Sequence, residues 1–273
     1  MTNNNQSLKF NLKLTIAESE TIIDKLDIDF KIFKNNKPEA NSAYLNIWNL
    51  NDTVLQELVE KENLIDIYTS YGEDEPGLMF RGYIEQERTF NGRPPERVDC
   101  ATHITLKDGK NAFEKFINKN YREKVSSTTL IQDCISAMGA GHGRLSENLP
   151  QIQFDNYKIY GYPQTELEKI CKPLGINFSI QNNLIQVIAP DEKFEGTDTL
   201  IFNSENSAKI QKRGKDEIII ITSLTPALNP NDWIQCEFDE FKGTARVQEI
   251  YHHGNNYGQT CLTEITIGYK QND

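Results

Sequence analysis

Side-chain alternation of period two over nine residues constrains this chain more than any motif does. Leu8, Phe10, Leu12, Leu14 and Ile16 fall on one side, and Lys9, Asn11, Lys13 and Thr15 on the other. Successive side chains of a strand point to opposite faces, so this is a strand with one face buried. Leu26–Ile32 repeats the pattern, Lys34-Asn35-Asn36-Lys37-Pro38 breaks it as a turn, and Tyr44–Leu50 reads as a third strand. Asp52 can cap a short helix that places Val54, Leu55, Leu58 and Val59 on one face. Ile65–Tyr71, Met79–Glu87 and Val98–Leu106 read as further strands, with turns at Gly72–Gly77 and Asn91–Pro95. Six short strands and one helix predict a small antiparallel β-barrel-like domain over residues 1–110.

The far end of the chain has the same texture. Four isoleucines, Ile218 to Ile221, run into Leu224-Thr225-Pro226-Ala227-Leu228-Asn229-Pro230-Asn231-Asp232-Trp233. Gly243-Thr244-Ala245-Arg246-Val247-Gln248-Glu249-Ile250 follows, then a turn at Gly254–Gly258 and a last strand from Cys261 to Ile267. Short apolar runs between Pro, Asn and Gly turns predict a second small β-barrel-like domain over 204–273.

Between them, over 111–203, the period changes. Leu130, Ile131, Cys134, Ile135 and Met138 recur at helical spacing, with Ser127 or Thr128 available as cap and Gly139 as stop. A second helix starts near Thr165 and presents Leu167, Ile170, Cys171 and Leu174; Pro173 ends or bends it, and Gly175 closes it. Ile176–Ile180, Asn182-Asn183 and Leu184–Ile188 then form a hairpin. The fold class is therefore mostly β (α+β), with two β-barrel-like domains flanking a mixed α/β lobe.

Composition bounds the partners. A net charge of −11 and a pI near 5.0 argue against a general DNA binder or membrane-surface binder. The charge is uneven: Lys107–Lys124 carries six bases and three acids, and Lys215–Asp273 four bases and nine acids. Five scattered cysteines without a Cys-x-x-Cys suggest neither a disulfide framework nor a zinc site, and free thiols are expected. Residues 1–7 are polar and do not form a signal peptide, and no stretch approaches the ~18 apolar residues of a membrane helix.

The search for chemistry returns little. Gly139-Ala140-Gly141-His142-Gly143-Arg144 follows a helix instead of opening one, so it reads as a helix end leading into a flexible loop and not a phosphate cradle. His252 and His253 are adjacent and point to opposite faces of a strand, so they cannot jointly chelate; His103 reads as structural. Glu237, Asp239 and Glu240 could serve as acid and base in principle, but read as solvated carboxylates on a strand and turn. Tyr157, Tyr160 and Tyr162 cluster in one short region and suit packing, a protein interface or stacking on sugars or bases. No catalytic, cofactor-binding or metal-ligating residue is assigned.

The series of features resembles a known family. Phe30-Lys31-Ile32-Phe33-Lys34 followed by Tyr44-Leu45-Asn46-Ile47-Trp48-Asn49-Leu50-Asn51 is similar to the opening of baseplate hub proteins of contractile-tailed phages. Phe80-Arg81-Gly82-Tyr83-Ile84 resembles that family's F-x-G-x-I strand, and Leu106-Lys107-Asp108-Gly109 its x-D-G exit into the helical lobe. The helix and hairpin over Gly161–Ile188 and the turn Leu224–Trp233 complete the resemblance, which touches nearly the whole chain. Asn231, where the pattern suggests glycine, and Pro173 in the second helix depart from it. The resemblance extends to late control protein D-like proteins, related to the hub part of type VI secretion spikes. It implies a homotrimer whose two β domains per chain mimic a sixfold ring, joining a tail tube to a central spike. DNA would pass through the channel without specific binding. The implied location is the virion tail baseplate, after synthesis in the host bacterial cytoplasm, with no cofactor, enzymatic activity or membrane insertion. Two rival readings remain: a tail-associated peptidoglycan hydrolase, and a glycan-binding baseplate or adhesin module using Tyr157, Tyr160 and Tyr162.

Overall fold

The opening alternation is realised as strand β1 (Leu8–Ile16), which pairs with β2 (Ser19–Ile23). The computed structural model describes residues 8–16, 19–60, 64–71, 75–85, 90–91, 101–190, 192, 199–205, 207–214, 216–258 and 261–268. Strands β3 (Ile28–Asn35) and β4 (Ser42–Trp48) form a hairpin in which Ile28, Phe30 and Ile32 oppose Ile47, Leu45 and Ala43, all buried. Helix α1 (Asp52–Glu60) follows and packs Leu58 on this core. Its first turn is capped by Asn51, one residue before the expected Asp52: the Asn51 Oδ1 accepts from Val54 N at 2.9 Å. Strands β5 (Leu64–Tyr71), β6 (Gly77–Ile84), β7 (Phe90–Asn91) and β8 (Ala101–Lys107) complete the segment. The turns expected at 72–74 and 92–95, and residues 98–100 of the expected strand, lie outside the described residues.

The middle of the chain carries α2 (Lys110–Phe113), β9 (Ile117–Asn120), β10 (Val125–Ser126) and α3 (Ser127–Met138). Then come β11 (Gly141–Leu145), β12 (Gln153–Phe154), β13 (Lys158–Gly161), α4 (Pro163–Cys171), β14 (Asn177–Gln181) and β15 (Leu184–Ile188). The cap of α3 is Ser126, whose Oγ accepts from Thr129 N at 3.1 Å; the expected Ser127 is buried and instead binds Pro150 O and Ile152 N. Gly139 ends α3 in the left-handed conformation. Helix α4 starts two residues before Thr165, with Pro163 in its first turn, where a missing amide is harmless. Pro173 sits in a 3-10 turn over Lys172–Leu174 that ends the helix at left-handed Gly175. Gly141–Leu145 is a strand parallel to β15 and not the flexible loop expected. Leu130, Ile131, Cys134 and Met138 of α3 share a core with Leu167 and Ile170 of α4 and Ile180 and Val187 of the hairpin. Asn182 and Asn183 both take positive φ, the conformation a two-residue hairpin turn demands.

The last segment contributes β16 (Leu200–Asn203), β17 (Ser207–Arg213), β18 (Glu217–Ser223), β19 (Trp233–Glu237), β20 (Lys242–Asn255) and β21 (Leu262–Gly268). Ile218 and Ile220 face the core and Ile219 and Ile221 the other side, so the isoleucine run is an ordinary alternating strand. The mostly-β class holds, but the sheets do not close into barrels. Hydrogen-bonded neighbours run β17-β18-β21-β20-β3-β4-β8-β6-β5-β1-β2, an open path among the described residues, with β19 and β16 branching from β20. Strand β3 pairs outward with the last segment, and this removes the edge that closure within the first segment would have used.

Two compact units result. The larger comprises Met1–Lys34, Ser42–Lys107 and Thr199–Asp273; the smaller comprises Asn35–Asn41 and Asp108–Asp198. The turn of the β3–β4 hairpin therefore belongs to the smaller unit, and a polar knot shows why. Fully buried Asp108 accepts from Asn41 N at 2.8 Å, Asn41 Nδ2 at 2.9 Å and Asn182 N at 3.1 Å. Asn41 Nδ2 also donates to Ile180 O at 2.7 Å, and Gln181 Nε2 donates to Asn35 O at 2.6 Å. Gly109 follows at φ 65°, where an added Cβ would lie 2.8 Å from Ile180 Cδ1. The Asp-Gly pair thus has a mechanical reason: one residue neutralises buried amides and the next makes a turn open only to glycine. Asp108→Ala strands those amides without partners. It should cost about 2–4 kcal/mol of stability, read as a lowered midpoint in urea unfolding.

Candidate assembly surfaces

The larger unit is held together where β3 meets β20. On the inner face, Lys34 is buried and its Nζ donates to Met79 O at 3.2 Å and Asn229 Oδ1 at 2.5 Å. On the outer face, the Phe33 and Tyr251 rings stack at 4.2 Å, and His253 stacks on Tyr251 at 4.7 Å. At the other end, Asn256 accepts from Ile28 N at 2.8 Å and donates through Nδ2 to Leu26 O at 2.7 Å. The Tyr257 hydroxyl donates to Asp29 Oδ1 at 2.5 Å. Side chains on both faces and at the strand end therefore span the seam.

The Leu-x-Pro-x-Leu turn reaches the same place. Leu224 is buried in the core of the first segment and Leu228 in that of the last. An added Cβ on Gly77 would come within 3.2 Å of Pro226 Cβ, so the turn lies against β6. Asn231 takes φ 72° with its amide donating to Val247 O at 2.9 Å. Asparagine is among the few residues besides glycine that accept this conformation, so the departure at 231 preserves the turn.

His252 is the unusual titratable group of the seam. It is 0% exposed, with Nδ1 at 2.9 Å from the Thr263 hydroxyl. That hydroxyl oxygen also accepts from Thr225 N at 2.8 Å. The other ring nitrogen, Nε2, has no hydrogen-bond partner among the described residues. Burial, followed by the positive charges of Lys34 and of His253, pushes its pKa down to about 3.

The other residues picked out in the sequence scatter. His253 faces outward and lies 3.2 Å from Glu264, so the adjacent histidines do point apart. His103 is exposed and meets Asn46 at 2.6 Å across the β4–β8 pair. Glu237, Asp239 and Glu240 are exposed around the β19–β20 turn, with Glu237 accepting from Gln235. Cys134, Cys171 and Cys236 are buried free thiols, with burial pushing each up to about 12. Cys100 lies outside the described residues. The tyrosine trio divides. Tyr157 turns inward onto Phe154 at 5.0 Å, and burial raises its pKa. Tyr160 and Tyr162 stay on the surface with Phe116, whose ring lies edge-on at 5.2 Å from Tyr160 and 6.5 Å from Tyr162. Phe116 carried no periodic signal in the sequence; its place beside Tyr160 follows from β9–β13 pairing across forty residues. No group of three metal-ligating side chains and no membrane-length apolar helix occurs among the described residues.

In sequence the chain matches no family model and no curated protein. In structure it matches tail proteins and a type VI secretion component over 95–96% of its length. The 43 kDa tail protein of prophage MuSo2 from Shewanella oneidensis superposes with a TM-score of 0.69 at 10% identity, covering 96% of this chain and 98% of that one. A tail protein from Neisseria meningitidis gives 0.63 at 9% identity, covering 96% and 97%. An Escherichia coli component of the type VI secretion system, itself structurally similar to the T4 bacteriophage tail proteins gp27 and gp5, gives 0.64 at 9% identity over 95% and 77%. The fold is thus that of phage tail and type VI spike-related proteins.

The seam makes stability sensitive to acid in a defined way. In the unfolded chain His252 binds a proton near its ordinary value of 6.5, whereas in the fold it stays neutral to about 3. Its contribution is therefore complete above 6.5 and is lost as pH falls toward 3. His252→Gln should flatten the pH dependence of the unfolding free energy over that window relative to the parent chain. Lys34→Met should raise the His252 pKa, read by NMR titration of the ring protons.

Proposed function

We propose that the chain is a structural hub protein of a phage or prophage-like tail baseplate. The observation that carries this reading is the extent of the correspondence with tail proteins: the match covers 96% of this chain and 98% of the MuSo2 protein. In the proposed assembly three copies form a ring. Each contributes two β modules, 1–110 and 204–273, and the lobe 111–203 lies between them in sequence. Six modules then sit on a sixfold tail tube, and three copies meet a threefold spike. The ends of the sheet path among the described residues, β17 and β2, favour this reading, because an unpaired strand edge is a template for another chain. The acidic bias after Lys215 suits a channel wall that repels DNA and lets it slide without sticking. The protein would act in the virion tail after synthesis in the bacterial cytoplasm, with tail-tube and spike proteins as partners and no catalytic step of its own.

Native mass spectrometry across a concentration series tests the reading. A trimer is expected, and a monomer at every concentration would count heavily against the hub. A zymogram on peptidoglycan should stay uncleared; clearing would favour the hydrolase instead.

A further inference from the structure

The β9–β13 ribbon of the smaller unit has one face that the hub reading does not use. Its register pairs Asn120 with Lys158 and Asn118 with Tyr160. Paired residues share a face, so Phe116, Asn118, Asn120, Lys158, Tyr160 and Tyr162 lie together, and all six are exposed. The opposite face is committed inward: Ile117 and Ile159 are buried, and Lys119 reaches Asp133 of α3 at 2.6 Å. Phe116, Tyr160 and Tyr162 are 58%, 58% and 55% exposed. Tyrosine and phenylalanine clustered on a surface are the side chains that protein interfaces bury at their centres. The rings meet at 89° and 79°, a ridged patch and not the flat platform that stacks on a sugar ring.

The charge around this patch names the occupant. Lys158 Nζ stands 4.7 Å from the Tyr160 centroid, and Lys115, Arg122 and Lys124 are exposed next to the ribbon ends. None of these four cations has an ion pair among the described residues. Glu114 and Glu123 are exposed among them, so the four cations leave a local positive excess in a chain whose net charge is −11 and whose Lys215–Asp273 stretch has nine acids to four bases. In that stretch, Glu237, Asp239 and Glu240 crowd the exposed β19–β20 turn. We propose that the aromatic ribbon face of one copy docks the acidic β19–β20 turn of a second copy. The contact rests on the hub reading and assigns residues to its copy-to-copy interface. Opposite charges steer the encounter and fix register, while the aromatic patch supplies the buried centre.

The test measures assembly of the full-length chain by analytical ultracentrifugation, with circular dichroism checking that each variant folds. Phe116→Ala with Tyr160→Ala should weaken association at least about tenfold. Lys158→Glu alone and Glu240→Lys alone should each weaken it, and the two together in one chain should restore most of the loss. Association should also weaken in high salt. If the parent chain assembles and the ribbon variants assemble equally well, the docking is wrong while the hub stands. If the parent chain is monomeric, both fall. Assembly unaltered by the ribbon variants, with binding of chitohexaose lost, would assign the face to a glycan and overturn the proposal.

Discussion

The pairing of β3 with β20 is the constraint on which the larger unit depends. It joins segments more than two hundred positions apart, and Asn256 contacts Ile28 across that separation. Closing so long a loop costs entropy, and a few strand hydrogen bonds return little of it. Lys34 adds a further demand. A buried ammonium is tolerable only with its hydrogen bonds made, and one of its acceptors, Asn229, comes from the last segment. The lysine ties the two segments together, and the apolar core of the first segment also takes in Leu224 and Cys261 from the last.

What the sequence made legible follows from this division. Local patterns reported local structure: alternation marked β1, β3, β4 and β5, helical spacing marked α3 and α4, and paired asparagines marked the turn after β14. Turn chemistry was also readable, since Pro173, Gly139 and Gly175 end helices where their geometry requires. The pairing partner of a strand leaves no trace in its own alternation. A β3 edge satisfied by β20 reads the same as one satisfied within its own segment, so the strands were legible while their joining into one sheet path across the two β segments was not. Lys34 looked like a turn residue because its neighbours are polar; Met79 O and Asn229, 195 positions later, accept from its buried ammonium.

The surface features were the hardest to see. Tyr157, Tyr160 and Tyr162 looked equivalent, yet the two exposed rings lie on or beside the ribbon, while Tyr157 precedes it and packs inward against Phe154. Phe116 joins the patch through strand pairing, so spacing along the chain could not reveal it. Asp108 and Gly109 were visible as a motif without a cause. The cause is a set of amides contributed by Asn41 and Asn182, which only the folded smaller unit brings to one carboxylate.

The order of the strands also has a consequence for synthesis. A chain emerging N-terminus first completes β3 and β4 long before β20 leaves the ribosome, so β3 waits with one side unpaired while most of the protein is made. The Asn35–Asn41 turn likewise waits for Asp108, and then for Ile180, before its amides are satisfied. The smaller unit has all its residues once position 198 has emerged, whereas the larger stays incomplete until β20 and β21 are made. A truncated product would display a bare strand edge, a feature that quality-control machinery recognises.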